Sequence, residues 1–207
     1  MKNALIIVDI QNDFCQGGSL EVKNSNEIIP IVNDIRKNFS AKFDFVILTQ
    51  DFHPENHISF KDSSELENVD KSTLDALTLK YLGAFPSHCV QHTQGSQFHP
   101  ELIVKSEDII IRKGENIYKE EFSGYANPEL GSILKDNFIE NVFIVGLAYD
   151  FCVGFLALDT ATNGFKTYVI KDATKFISED TTQEMNENLT KSGVKVISHV
   201  VLNQVLK

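Results

Sequence analysis

The sequence predicts an α/β protein: a three-layer α/β/α sandwich around a central, mostly parallel sheet of about six strands. Two observations predict it. Short apolar runs alternate with segments of helical period along the chain, and polar residues able to do chemistry gather where the runs end.

The runs are Ala4–Val8, Phe45–Thr49, Ile109–Ile111, Val142–Val145 and Thr167–Ile170, with a weaker sixth at Val194–Ile197. Each is continuous in Val, Ile, Leu or Phe and does not alternate with polar residues. That is the pattern of strands buried on both faces, as in a parallel sheet covered by helices. Between them, Ile28, Ile31, Val32, Ile35 and Phe39 form one helical stripe. Asn127 followed by Pro128 is an N-cap and first-turn pair for a helix reaching about Asp136. Val153, Leu156, Ala157 and Thr160 share a face, with a stop at Asn163-Gly164, and Met185 and Leu189 mark a helix before Gly193.

The 207 residues read as one domain over 1–207, with no repeat or linker. From Pro54 to Ser106 the chain lacks clear period. A loop that long in a compact domain is usually functional, so a site region is expected at about 51–106. Hydrophobic residues at 42% and charged residues at 23% place the chain among globular proteins. No apolar run could span a bilayer, and no signal peptide is read at the start, so a cytoplasmic protein is the default expectation. A net charge of −10 without a basic cluster excludes nucleic acid and anionic membrane as partners. Cys15, Cys89 and Cys152 are an odd number without disulfide-like spacing, so they are expected to be reduced thiols.

In open parallel sheets the site lies beyond the carboxyl ends of the strands. Asp9 follows the first run, Asp51 and His53 the second, Arg112 and Lys113 the third, Cys152 the fourth, and Asp172 the fifth. Asp172 reads as an ordinary turn or cap residue. The others supply complementary parts of one reaction. Cys152 precedes a helix, where the dipole favours a thiolate and free N–H groups can hold an oxyanion; alone, it is equally a buried structural cysteine. Asp9 could exchange a proton with that thiol and Lys113 could hold both charges, or the two could be a plain ion pair at the sheet rim. Asp51-Phe-His53 sets two metal-ligand types on one face of an extended segment, with His57, His88, His92 and His99 downstream. Asp-x-His alone is weak, and the clustering strengthens it.

Five ordered blocks then resemble one family, the nicotinamidases among the isochorismatase-like cysteine hydrolases. They are the block from Val8 to Gly18, the block from Thr49 to Phe60, Phe85 to Val90 with Gly95 and Phe98-His-Pro100, Lys113-Gly114 with Phe122 to Tyr125, and Gly146 to Val153. The resemblance implies a triad of Asp9, Lys113 and Cys152, an oxyanion hole of the Ala148 and Cys152 N–H groups, and a cis Leu147–Ala148 peptide. It implies metal ligation by Asp51, His53 and His88 and leaves His57 open, since relatives differ there. One divalent ion is expected, zinc first, with iron or manganese suited to the same donors. Phe14, Phe85, Phe122, Tyr125 and Phe151 would form the substrate pocket. The chain has no Trp, and Phe52 and Phe85 stand where the family often has it.

The implied function is hydrolysis of nicotinamide to nicotinic acid and ammonia through a cysteine thioester, in salvage toward NAD. Pyrazinamide is a further candidate substrate, and homo-oligomers occur among such relatives. The alternatives are a metal-independent carbamoyl or ureido amidohydrolase of the same superfamily, against which Asp51, His53 and His88 argue, and a non-catalytic protein that binds nicotinamide or metal.

Overall fold

The computed structural model describes residues 1–206. Strands β1 (Asn3–Val8), β2 (Phe45–Asp51), β3 (Ile109–Lys113), β4 (Asn141–Leu147), β5 (Lys166–Lys175) and β6 (Lys195–Ile197) form one sheet. Its order is β3-β2-β1-β4-β5-β6, and every adjacent pair is parallel. All six apolar runs form strands, the sixth only from Lys195, with Val194 outside it. Several continue past the apolar residues because the backbone ladder does: Gln50 pairs with Arg112 and Asp51 with Lys113.

Both faces are covered. Leu5 and Ile7 of β1 and Phe143 and Val145 of β4 pack toward α1 (Ile28–Asn38) and α6 (Leu202–Val205). Ala4, Ile6 and Val8 pack with α3 (Pro128–Asp136), α4 (Gly154–Thr162) and α5 (Glu179–Lys191). Burying a side chain such as Leu5 or Ile6 contributes about 1.5–3 kcal/mol, so no position of β1 accepts a charge until the chain clears the sheet at Asp9. The Asn127 cap forms as its sequence predicts, its side chain accepting from the Glu129 N–H at the head of α3. The unpatterned stretch contains one short α-helix, α2 (Ala76–Lys80), and two 3-10 helices, Ser64–Glu67 and Lys71–Thr73, among turns.

The strand order places the site. From β1 the chain steps outward through β2 to β3, then returns to the other side of β1 as β4. The reversal between β1 and β4 opens a crevice at their carboxyl ends. Asp9 leaves β1 there, and the turn bearing Cys152 leaves β4 beside it. Close approach at this point requires Gly146. Its φ is +114°, and a Cβ on it would lie 2.1 Å from the Val8 carbonyl oxygen.

Gly146→Ala should therefore cost more than about 2 kcal/mol, from strain at positive φ together with a backbone clash. Urea unfolding would show it as a lowered midpoint. An unchanged midpoint would mean that β1 and β4 can part without loss.

Candidate active site

Strand register assembles the buried charges. Lys113 ends β3 directly opposite Asp51 at the end of β2. Its ammonium ion-pairs with Asp51 Oδ1, lies 3.0 Å from Asp9 Oδ2, and donates to Cys152 Sγ at 3.4 Å. All four residues are buried. Asp9 is held at φ +48°, and its Oδ1 accepts from Thr49 Oγ1 at 2.6 Å. Asp9 Oδ2 receives no well-aligned hydrogen bond despite the nearby ammonium, so it can still take a proton.

The two carboxylates are driven apart in acidity. Burial raises both, but at Asp51 the ammonium of Lys113 and the ring of His53 outweigh it and hold the carboxyl below its usual range. At Asp9 burial prevails over Lys113, helped by repulsion from Asp51, and the pKa rises. Asp51 is thus a fixed charge, and Asp9 is the stronger base. Lys113 remains an ammonium: the carboxylates of Asp51 and Asp9 more than offset burial and raise its pKa. The thiol differs from the sequence expectation. Burial pushes the Cys152 pKa well above its ordinary value, and Lys113 only partly opposes this. Cys152 lies in a five-residue helical turn, Tyr149–Val153, that runs into α4. With two carboxylates beside it, the dipole does not secure a thiolate.

Asp51 also faces a second group. Its Oδ2 is 3.5 Å from His53 Nε2, and Asp51, His53 and His88 each offer a ligand atom within 4.8 Å of the others. The chemistry of these donors fits a divalent metal. His53 Nδ1 bonds the Gly114 carbonyl at 2.9 Å and His88 Nδ1 bonds the Pro86 carbonyl at 2.8 Å. A carbonyl only accepts, so each Nδ1 carries a proton and leaves Nε2 as the nitrogen available to a metal. At His53 the Asp51 carboxylate outweighs burial and raises the pKa, so a metal there would displace a proton. Gly114 is required for this, since a Cβ on it would lie 2.4 Å from the His53 ring. His57 is placed otherwise. Its Nε2 donates to the Lys119 carbonyl at 3.0 Å and its Nδ1 meets Ser59 Oγ at 2.8 Å, so both nitrogens are engaged. Its ring lies tilted at 42°, 4.3 Å from the His53 ring, and stands outside the donor group. Burial, then the neighbouring His53, lowers its pKa to about 3 and that of His88 to about 4. His92 and His99 lie elsewhere, His92 against Phe52 and His99 near Asn26.

A cleft beside the two groups is lined by Phe14, Phe85, Phe122 and Phe151 together with Ala148, Cys152, Asp51 and His88. Tyr125 was expected in this wall and is not in it. Ser123 Oγ accepts from the Tyr125 N–H and tightens the turn, which sets the ring against Gly131 of α3. Phe52 likewise faces away, under the Arg112 guanidinium at 4.2 Å. The Leu147–Ala148 peptide is cis, as the resemblance implies. Asp172 lies within β5 and not in a turn; it acts as a cap, accepting from Ser198 Oγ and the His199 N–H at the head of the short helix His199–Val201.

Several residues that the sequence reading did not assign support the site. Gln11 brackets the Asp51 backbone: its Oε1 accepts from the Asp51 N–H and its Nε2 donates to the Asp51 carbonyl, each at 2.8 Å. Asp13 accepts from the Cys89 N–H at 2.7 Å, fixing the residue after His88. Asp150 accepts from the N–H groups of Ile177 and Ser178 and ties the Cys152 turn to the loop before α5. Glu120, Leu20, Val22 and Ile177 complete the cleft lining. Gln11 and Asp13 lie within the first resembling block, which was the available signal. The cleft residues have none, because only the fold brings them near.

The comparisons with known proteins agree with this geometry. The sequence pattern of the isochorismatase domain matches residues 3–200. The chain is 38% identical to a nicotinamidase of Acinetobacter baylyi, over 94% of this chain and 92% of that one. It is similar to the zinc complex of a pyrazinamidase from Pyrococcus horikoshii, with a TM-score of 0.82, 34% identity and coverage of 96% and 99%. It is also similar to an L. infantum protein in complex with nicotinate, with a TM-score of 0.79, 30% identity and coverage of 96% and 93%.

Two outcomes follow from the geometry. In zinc titrations by calorimetry, His88→Ala should weaken binding by more than about 100-fold and His57→Gln by at most about 10-fold, as for a residue behind a ligand. Equal losses would make His57 a ligand. In metal-free protein, a raised thiol pKa leaves less thiolate at neutral pH than free cysteine has. Iodoacetamide labelling of Cys152 should therefore keep climbing through pH 9, the ordinary value, and beyond. A plateau already reached at neutral pH would contradict the raised pKa.

Proposed function

We infer that this chain, which belongs to the isochorismatase family, hydrolyses nicotinamide to nicotinic acid and ammonia. One observation carries the reading: a buried Asp9–Lys113–Cys152 group and an Asp51–His53–His88 donor group meet through Asp51 across a cleft walled by phenylalanines. An aromatic amide needs all three parts: an apolar slot for the ring, a nucleophile at the amide carbon, and a fixed point for the far side of the ring.

Cys152 is the nucleophile. As its sulfur attacks the amide carbon, its proton passes to Asp9 Oδ2. The N–H groups of Ala148 and Cys152 hold the oxyanion, and losing one such donor typically costs about 10²–10³ in rate. Asp9 returns the proton to the amide nitrogen, the C–N bond breaks, and ammonia leaves. A thioester on Cys152 remains. Asp9 takes a proton from an incoming water, whose oxygen attacks the thioester carbon. The C–S bond then breaks, nicotinic acid forms, and the sulfur recovers its proton. Lys113 stays charged throughout and steadies Asp9 and the developing thiolate.

Asp51, His53 and His88 would hold the metal ion, with zinc proposed first and iron or manganese suited to the same donors. When bound, that ion offers the ring nitrogen a ligand position and so fixes the carboxamide toward the thiol. Phe14, Phe85, Phe122 and Phe151 exclude water and grip the ring faces. Pyrazinamide, which keeps a ring nitrogen and a carboxamide, fits the same slot. We place the reaction in the cytoplasm, as salvage of the pyridine ring toward NAD; no helix among the described residues is long and apolar enough to cross a membrane.

Purified protein given nicotinamide should release ammonia, lose this activity on chelation and regain it with zinc. Cys152→Ala should show no turnover while binding zinc normally. Ammonia release indifferent to chelation would point to a metal-independent amidase. No release from zinc-loaded protein would overturn the reading.

A further inference from the structure

We infer that Tyr81, which the reaction does not use, is a positioning residue that sets the ring slot and thereby the preference for flat aromatic amides. The inference rests on the nicotinamide reading. Tyr81, Phe85, Phe122 and Phe151 form a four-ring cluster in which every ring meets every other. Tyr81 stacks on Phe85 at 5.7 Å and 15°, and it meets Phe122 edge-on at 5.0 Å and Phe151 at 5.7 Å. The three phenylalanines contact one another at 5.3–6.4 Å. Those three line the cleft, and Tyr81 does not. Among the described residues it is the one ring outside the cleft lining that meets all three.

The three rings come from separate segments of the chain, so no local structure sets their spacing. Phe85 leads into the loop of His88, whose ring it also meets at 5.9 Å. Phe122 follows β3, and Phe151 immediately precedes Cys152. Tyr81 is itself well anchored. It closes α2, its N–H donating to the Leu77 carbonyl. Asp75 caps that helix by accepting from the Thr78 N–H at 2.8 Å. Thr78 Oγ1 in turn accepts from the Glu120 N–H at 3.0 Å, tying α2 to the segment that carries Phe122. The α-helix of the 54–106 stretch thus ends on a ring that braces the cleft wall. Edge and offset contacts of this kind fix ring orientation as well as distance. No hydrogen bond engages the Tyr81 hydroxyl among the described residues, so the ring carries the role.

Steady-state kinetics on the zinc-loaded protein tests this with nicotinamide and with isobutyramide, an amide without a ring. Tyr81→Ala should raise KM for nicotinamide by about tenfold with kcat within threefold, and should narrow the preference for nicotinamide over isobutyramide. Tyr81→Phe should restore wild-type KM. Tyr81→Leu keeps an apolar side chain without the ring and should behave as Tyr81→Ala, which serves if the alanine variant does not fold. An unchanged KM, a fall in kcat alone, or failure of Tyr81→Phe to restore KM overturns the role. If the wild type neither binds nicotinamide in calorimetry nor hydrolyses it, the functional reading itself falls and this inference with it. Normal wild-type turnover with indifferent Tyr81 variants removes only the inference.

Discussion

The ammonium of Lys113 is buried among two carboxylates and a thiol, and both halves of the site depend on it. Without it, Asp9 and Asp51 would be two anions sharing a dry crevice, and one would have to take up a proton. With it, the carboxylates settle into different roles. Asp51, in the closer pair, stays charged and turns its second oxygen to the histidines. Asp9, more weakly paired, keeps a raised pKa and an oxygen able to accept a proton. The same ammonium reaches the sulfur that must become an anion. One side chain at the end of β3 therefore joins the metal-type donors to the nucleophile.

The sheet puts that side chain where it is. Parallel register sets Lys113 beside Asp51, and the reversal of strand order between β1 and β4 brings Asp9 and Cys152 to one crevice. The supports are mostly side chains bonded to distant backbone. Gln11 grips both backbone groups of Asp51, and Asp13 holds the loop after His88. Asp150 fastens the Cys152 turn from the opposite side. These bonds fix loops that lack a ladder of their own, as precise placement of catalytic groups requires.

What was legible in the sequence follows from these causes. Strands buried on both faces must be continuously apolar, so Ala4–Val8 and Val142–Val145 announce themselves, and the polar residues just beyond them mark the crevice. The Asn127-Pro128 start of α3 is a local signal and was equally readable. The stretch from 54 to 106 was not, because long-range contacts hold it: single bridges pair His53 with Val90 and Phe60 with Phe85. Tyr125 lies in a resembling block yet turns away from the cleft, since a serine-capped turn decides its direction. Leu20, Val22, Glu120 and Ile177 reach the cleft from four segments, and no spacing announces them. The thiolate suggested by a helix start gave way to burial and to two neighbouring carboxylates.

The central claim is that one buried cation makes the two halves a single site. The most direct measurement is turnover of zinc-loaded Lys113→Met, which keeps most of the length of the side chain and removes its charge. The account predicts a variant that still binds one zinc ion per chain and loses about 10³-fold or more in kcat. Turnover within tenfold of wild type, with zinc bound, would show that Asp9 and Cys152 exchange the proton without the ammonium and would contradict the account.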